Sequence, residues 1–121
     1  MEIVTLSNDK QSLNNVKMSK DVRIFSFVNA YGCSIDDGSK VGAFVEIQKD
    51  VTIGSGTKIQ SHSFICEMVE IGKDCFVGHG VIFINDLFAK GGPSRGDKLL
   101  WRRTKIGDNV SIGSNSTILP V

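Results

Sequence analysis

An aliphatic or aromatic residue returns at every sixth position from Ile35 onward: Ile35, Val41, Ile47, Ile53, Ile59, Ile65, Ile71, Val77 and Phe83. In a chain that is 40% hydrophobic, such an unbroken run at one spacing marks a structural repeat. Two positions before each stands a small or β-branched residue, namely Cys33, Ser39, Val45, Val51, Thr57, Ser63, Val69, Cys75 and Val81. Residues two apart in an extended segment share a face, so each unit predicts a short strand with two inward side chains, followed by a corner. This spacing fits neither the helical stripe nor the heptad, and β-branched residues favour strands. Gly42, Gly54, Gly72 and Gly78 directly follow repeat residues, which predicts corners in need of backbone freedom. Three units make a triangular coil of about 18 residues, and stacked coils bury a continuous core as solenoids do.

The repeat is interrupted twice. Upstream, Val16, Val22 and Val28 hold the spacing, but Val28 to Ile35 is one step longer, which predicts an extra residue in the corner near Ala30 to Gly32. Downstream, the period disappears after Phe83 and resumes at Ile106, Ile112 and Ile118, with Gly107 and Gly113 again at corners. The gap predicts an inserted loop over residues 86–103 or so. Gly91, Gly92, Pro93, Ser94 and Gly96 exclude a regular element from its middle, and Leu99, Leu100 and Trp101 are expected to anchor its returning limb. The first dozen or so residues lack the period and are expected to form an edge strand or cap.

A length of 121 residues fits a single domain spanning the whole chain, 1–121. Lys and Arg number 14 against 13 Asp and Glu, so no net field points to nucleic acid or a membrane surface as partner. No stretch has the length of a membrane span, and Met1 to Lys10 lacks a signal-peptide apolar core, so the expected compartment is the cytoplasm. Cys33, Cys66 and Cys75 form neither a CxxC pair nor an even set, which suits a reducing compartment and small core residues.

The stretch SHSFICEMVEIGKDCFVGHGVIFIND, Ser61 to Asp86, resembles the hexapeptide-repeat N-acetyltransferases of 3-amino nucleotide sugars used in bacterial surface polysaccharides. FVNAYGCSI from Phe27, AFVEIQ from Ala43 and SIGSNSTILP from Ser111 extend the resemblance over most of the chain. It implies an all-β fold, a left-handed parallel β-helix of hexapeptide repeats with one inserted loop at about 86–103. Handedness comes from the resemblance alone, because the usual rule for parallel crossovers favours the opposite hand. The resemblance also implies a homotrimer with parallel axes. Acetyl-CoA and a nucleotide-linked amino sugar would meet in the cleft between neighbouring β-helices. Members of the family continue past ILP with a further coil and a closing segment, and this chain is expected to lack both after Val121.

Residues one coil apart stack, so Asn85 is expected over Glu67, with Lys49 one coil earlier. His62 and His79 are expected at one corner in adjacent coils. Acetyl transfer from a thioester needs an uncharged amine, a proton acceptor and donors for the developing oxyanion. His79 suits the proton-accepting role, because its ordinary pKa lies near neutrality; an ordinary hydrogen-bonded corner histidine is the competing reading. The resemblance implies that Asn85, in FIND, contacts the sugar at the reacting centre. His79 is also a candidate to position the amine, Glu67 to orient the amine or a histidine, and His62 to bind substrate; a surface carboxylate neutralised by Lys49 is the alternative for Glu67. Asp86, which completes FIND, is counted with the substrate-binding residues. In the loop beyond Asp86, Lys90, Arg95, Lys98, Arg102 and Arg103 stand against Asp97 alone, so Arg95, Arg102 and Arg103 are candidates to hold phosphates by bidentate contacts, a simply solvated loop being the competing reading.

Three other functions compete. A carbonic-anhydrase-like zinc site on this fold needs three histidines, and only His62 and His79 exist, so no metal is expected. A non-catalytic β-helix serving trimerisation or assembly fits the repeat but leaves the histidines, Asn85 and the basic loop without a role. An O-acetyltransferase of the same superfamily would keep the donor and change the acceptor to a hydroxyl.

Overall fold

Each six-residue unit forms one short strand, and successive strands occupy the three faces of a triangular prism in the computed structural model, which describes residues 1–121. The first face stacks Arg23–Ile24, Lys40–Val41, Lys58–Ile59, Phe76–Val77 and Ser111–Ile112 in parallel. The second stacks Val28–Tyr31, Glu46–Ile47, Phe64–Ile65, Ile82–Phe83 and Thr117–Ile118. The third stacks Ser34–Ile35, Thr52–Ile53, Val69–Ile71 and Thr104–Ile106. The result is a left-handed parallel β-helix with no α-helix. No helix is long and apolar enough to cross a membrane.

The residues before the repeat do form a cap. Strand β1 (Glu2–Ser7) pairs antiparallel with β2 (Gln11–Met18), and Asn8 Oδ1 closes the turn between them by accepting from the backbone of Lys10 and Gln11. The first half of β2 pairs with Val28–Tyr31 and the second half with Ser34–Ile35, so β2 runs around the corner joining the second and third faces.

The core is one cluster of 22 buried hydrophobic residues, and it contains the repeat aliphatics from Ile35 to Phe83. Each fully buried Ile, Val or Phe contributes about 2 kcal/mol relative to exposure. The inward hydroxyls on the first and second faces are satisfied by the period itself. Ser39, Thr57 and Ser63 donate to the carbonyls of Gly54, Gly72 and Gly78 and accept from the backbone N–H of Thr57, Cys75 and Val81. Cys75 continues the ladder, its thiol donating to Gly107 at 3.0 Å. On these two faces an inward polar side chain bridges two coils, whereas on the third face the buried Thr104 hydroxyl has no partner within the chain.

The structure corrects two readings of the repeat. Ala30 stacks under Ile47 and Ile35 under Ile53, so the corner after Ala30 is one residue shorter than the corner above it. Val28 belongs with the residues two positions before each aliphatic. Ala30, too small to register as a repeat residue, is the inward partner. Gly32, at φ +60, makes the tighter turn.

The second correction concerns the glycines. A left-handed φ recurs at every sixth residue through Gly38, Phe44, Asp50, Gly56, His62, Met68, Asp74 and Gly80, three positions after each aliphatic. Gly42, Gly54, Gly72 and Gly78 are not among these positions. They are needed because coils approach closely: a Cβ on any of the four would lie within 2.9 Å of an atom of the coil above.

Candidate active site

The corner between the second and third faces carries a column of polar and apolar side chains, stacked by the coil register. Asn85 lies one coil above Glu67, and its Nδ2 donates to the Glu67 carbonyl at 3.1 Å. Below, Gln48 Oε1 accepts from the Glu67 backbone N–H at 3.2 Å. Asn85 is buried, at 8% exposure, and no protein donor reaches its Oδ1. Lys49 does not neutralise Glu67. The partner is Lys98 from the inserted loop, whose Nζ stands 3.0 Å from Glu67 Oε1.

The loop leaves the β-helix after Asn85 and returns beside it. Phe76 pairs with Lys58, 18 residues away, and with Ser111, 35 residues away, so the insertion adds 35 − 18 = 17 residues to one coil. Arg102 N–H donates to the Asn85 carbonyl, closing the insertion where it opened. Asp86 organises its first turn, accepting from the backbone N–H of Phe88 at 3.0 Å and of Ser94 at 2.6 Å. Trp101 pairs with Asp86 through the backbone, and its indole N–H donates to Ser94 Oγ at 2.7 Å. Trp101 thus anchors the returning limb as expected, whereas Leu99 is 90% exposed and anchors nothing. The limb contains a short 3-10 turn, Lys98–Leu100.

Loop and corner enclose a cleft of about 360 Å³. Phe64, Phe83 and Trp101 supply apolar walls, and Gln48, Glu67 and Asn85 supply polar groups. Cys66 also lines it, but burial pushes its thiol up to about 11, so at neutral pH it is protonated and unsuited to nucleophilic relay. Tyr31, at the start of the same column, is held above its ordinary 10.0 by burial first and then by the carboxylates of Glu46 and Glu67. On the other side of Glu67 lies a second cleft of about 410 Å³, lined by Lys49, Asp50, Lys98 and Arg103. Arg103 bonds Asp50 at 2.8 Å. Arg95 and Arg102 are exposed and line neither cleft.

The histidines occupy the opposite edge of the second face. His62 stacks on Phe44 with ring centroids 4.9 Å apart, and Phe44 stacks on Phe27 at 5.2 Å. His79 sits at the same corner one coil higher, its Nδ1 3.0 Å from Ser61 Oγ. Six residues of extended chain separate His79 from Asn85, roughly 15–20 Å. One chain therefore does not bring these two side chains to one reacting group. No cluster of three or more His, Cys, Asp or Glu side chains is placed to hold a metal ion.

Sequence reasoning missed Gln48, Phe64 and Trp101 as cleft walls, and Lys98 as the partner of Glu67. The coil register carries a signal for Gln48 and Phe64, which stack with Cys66 and Ile82. Nothing periodic announces Lys98 or Trp101, because both sit in the insertion.

The repeat also has known counterparts. Residues 32–67 match the family model described as bacterial transferase hexapeptide (six repeats). The chain is similar to the bifunctional protein GlmU of Clavibacter sepedonicus, 34% identical over 95 residues, covering 78% of this chain and 17% of that protein. GlmU of Thermotoga maritima is 36% identical over 117 residues, covering 88% of this chain and 24% of that protein. GlmU of Synechococcus sp. strain CC9311 is 31% identical over 115 residues, covering 88% and 25%. The chain thus spans 17 to 25% of the length of these curated relatives. Those names specify no 3-amino sugar.

The first turn of the insertion is organised by a single carboxylate, that of Asp86, which makes it acid-sensitive. The Ser94 and Phe88 backbone bonds, in that order, hold the Asp86 carboxyl below its ordinary 3.8. A lowered folded value means that the contribution is complete above the ordinary value and is lost as pH falls through the lower one. Trp101 is the only tryptophan, so its emission reads the loop directly. The emission is expected to hold steady from neutral pH down to about pH 4 and to change below that. Asp86→Asn is expected to show the altered emission already at neutral pH; wild-type emission in that variant would contradict the assignment.

Proposed function

We propose that this chain carries out acetyl-CoA-dependent N-acetylation of the amino group of a nucleotide-linked amino sugar. The observation that carries the reading is the stacking of buried Asn85 on Glu67 in a partly apolar cleft, walled on one side by Phe88 and Trp101 of the inserted loop. In the reaction the amine nitrogen bonds to the thioester carbonyl carbon, the C–S bond breaks, and the amine proton leaves as the CoA thiolate departs. An uncharged amine can donate N–H to Asn85 Oδ1, which aims its lone pair at the carbonyl carbon. The remaining Nδ2 hydrogen is a donor for the developing oxyanion. Phe64, Phe83 and Trp101 make the surroundings of these groups less polar than water, which strengthens both bonds.

Glu67 favours an amine over a hydroxyl acceptor, because its carboxylate already holds an ammonium, that of Lys98. His79 remains the proposed proton acceptor. In the proposed homotrimer it reaches an acetyl group at Asn85 only from a neighbouring subunit. His62 and Arg103 are proposed to contact the substrate, as are Arg95 and Arg102 at the loop surface, while Asp86 serves the site through the loop it organises. The proposed compartment is the cytoplasm, with neither nucleic acid nor membrane as partner.

Thiol release from acetyl-CoA tests the reading against a panel of 3-amino nucleotide sugars and their 3-hydroxy counterparts. Release is expected with amines alone. Release with hydroxyl sugars and not amines would replace N- by O-acetylation, and no release with either would leave the assembly-module reading.

A further inference from the structure

Glu67 sits between two unlike clefts, and its only ionic partner is supplied by the insertion. On one side are Asn85 and the aromatic walls; on the other are Lys49, Arg103 and Lys98. The Glu67 side chain is 17% exposed, whereas that of Lys98 is 55% exposed. A largely buried carboxylate needs a cation, and a largely hydrated lysine does not need that carboxylate. Lys98 Nζ also lies 5.5 Å from the centroid of the Trp101 ring. A carboxylate beside an aromatic face is the composition of an ammonium site, and in the free protein the chain fills it with its own ammonium.

The neighbouring cleft has the opposite preference. Lys49 pairs with no carboxylate, and Arg103 has only the exposed Asp50. A diphosphate ester entering there would offer Lys98 a more highly charged partner than Glu67. We propose that the Lys98–Glu67 pair is a substrate-operated latch: a diphosphate ester draws Lys98 away, and the freed Glu67 takes the ammonium of the amino sugar. The latch rests on the amino-sugar reading above and adds an order to it, with phosphate recognition opening the amine subsite. Lys98 is then a specificity residue, because an amine that lacks a diphosphate must compete with it. Nucleotide sugar and coenzyme A both carry the diphosphate chemistry.

Trp101 emission reads each step. Inorganic pyrophosphate, UDP and coenzyme A are titrated separately, and glucosamine is titrated with and without saturating pyrophosphate. In the wild type, pyrophosphate is expected to tighten glucosamine binding by about fivefold or more, the lower end of ordinary site-to-site coupling. Lys98→Met is expected to bind glucosamine tightly without pyrophosphate and to lose the coupling. Glu67→Gln is expected to bind pyrophosphate several-fold more tightly and glucosamine several-fold more weakly. UDP acting more strongly than coenzyme A assigns the diphosphate to the sugar substrate, and the reverse assigns it to the acyl donor.

Glucosamine affinity that ignores pyrophosphate in the wild type overturns the latch, even where a variant fails to fold. So does Glu67→Gln with unchanged pyrophosphate affinity and a wild-type melting curve. These bindings need no acetyl transfer. Coupling without thiol release would overturn the transferase reading alone, and thiol release without coupling would overturn the latch alone.

Discussion

Gly54→Ala is expected to lower the melting temperature by roughly 10 °C, from about 3 kcal/mol of overpacking at the sensitivity of a domain this size. The added Cβ would lie 2.5 Å from both the carbonyl carbon and oxygen of Gly72 and 2.7 Å from the nitrogen of Lys73. All three are backbone atoms of the next coil, so no side chain can turn aside. Relief requires two coils to part, and the parallel ladder between Thr52–Ile53 and Val69–Ile71 runs through the same contact. Gly92→Ala is the control, because its Cβ meets nothing within 4 Å and its φ is not left-handed. Thermal melts followed by circular dichroism compare the two. Equal melting temperatures would show that coil spacing at this corner is not set by the absent side chain.

Asn85→Ala is expected to reduce acetyl transfer by about 100-fold, the scale for removing one preorganised polar group at a reacting centre. The loss is expected mainly in kcat, because the bonds proposed for Oδ1 and Nδ2 strengthen as the amine attacks. The substitution also removes the bond to the Glu67 carbonyl, at about 1 kcal/mol, so a fall of a few degrees in melting temperature accompanies it. An activity loss with a nearly intact melt separates chemistry from collapse. A rate within twofold of wild type would take Asn85 out of the reacting centre and leave it as a coil-to-coil bond.

Legibility in the sequence followed the period closely. Asn85 over Glu67 could be placed from an 18-residue offset, since parallel stacking turns sequence distance into contact wherever the repeat is unbroken. The same logic failed at Ala30, because a methyl side chain fills an inward position without standing out among neighbouring residues. It failed again at the glycines, whose value lies in what the coil above would strike. A stripe of glycines looks the same whether it supplies conformational freedom or clearance, and only the measured φ values and distances separate the two.

The sequence by itself determined the strand period, the inward positions, the place of the insertion and the column in which Asn85 and Glu67 stand. It did so because each of these depends on contacts one coil away, at a spacing that repeats. Tertiary structure alone decided that Lys98 and not Lys49 answers Glu67, that Trp101 walls the cleft, and how far apart the face between their corners holds His79 and Asn85. Those facts depend on how a 17-residue insertion folds back and on the width of a prism face, and no local pattern of side chains encodes either.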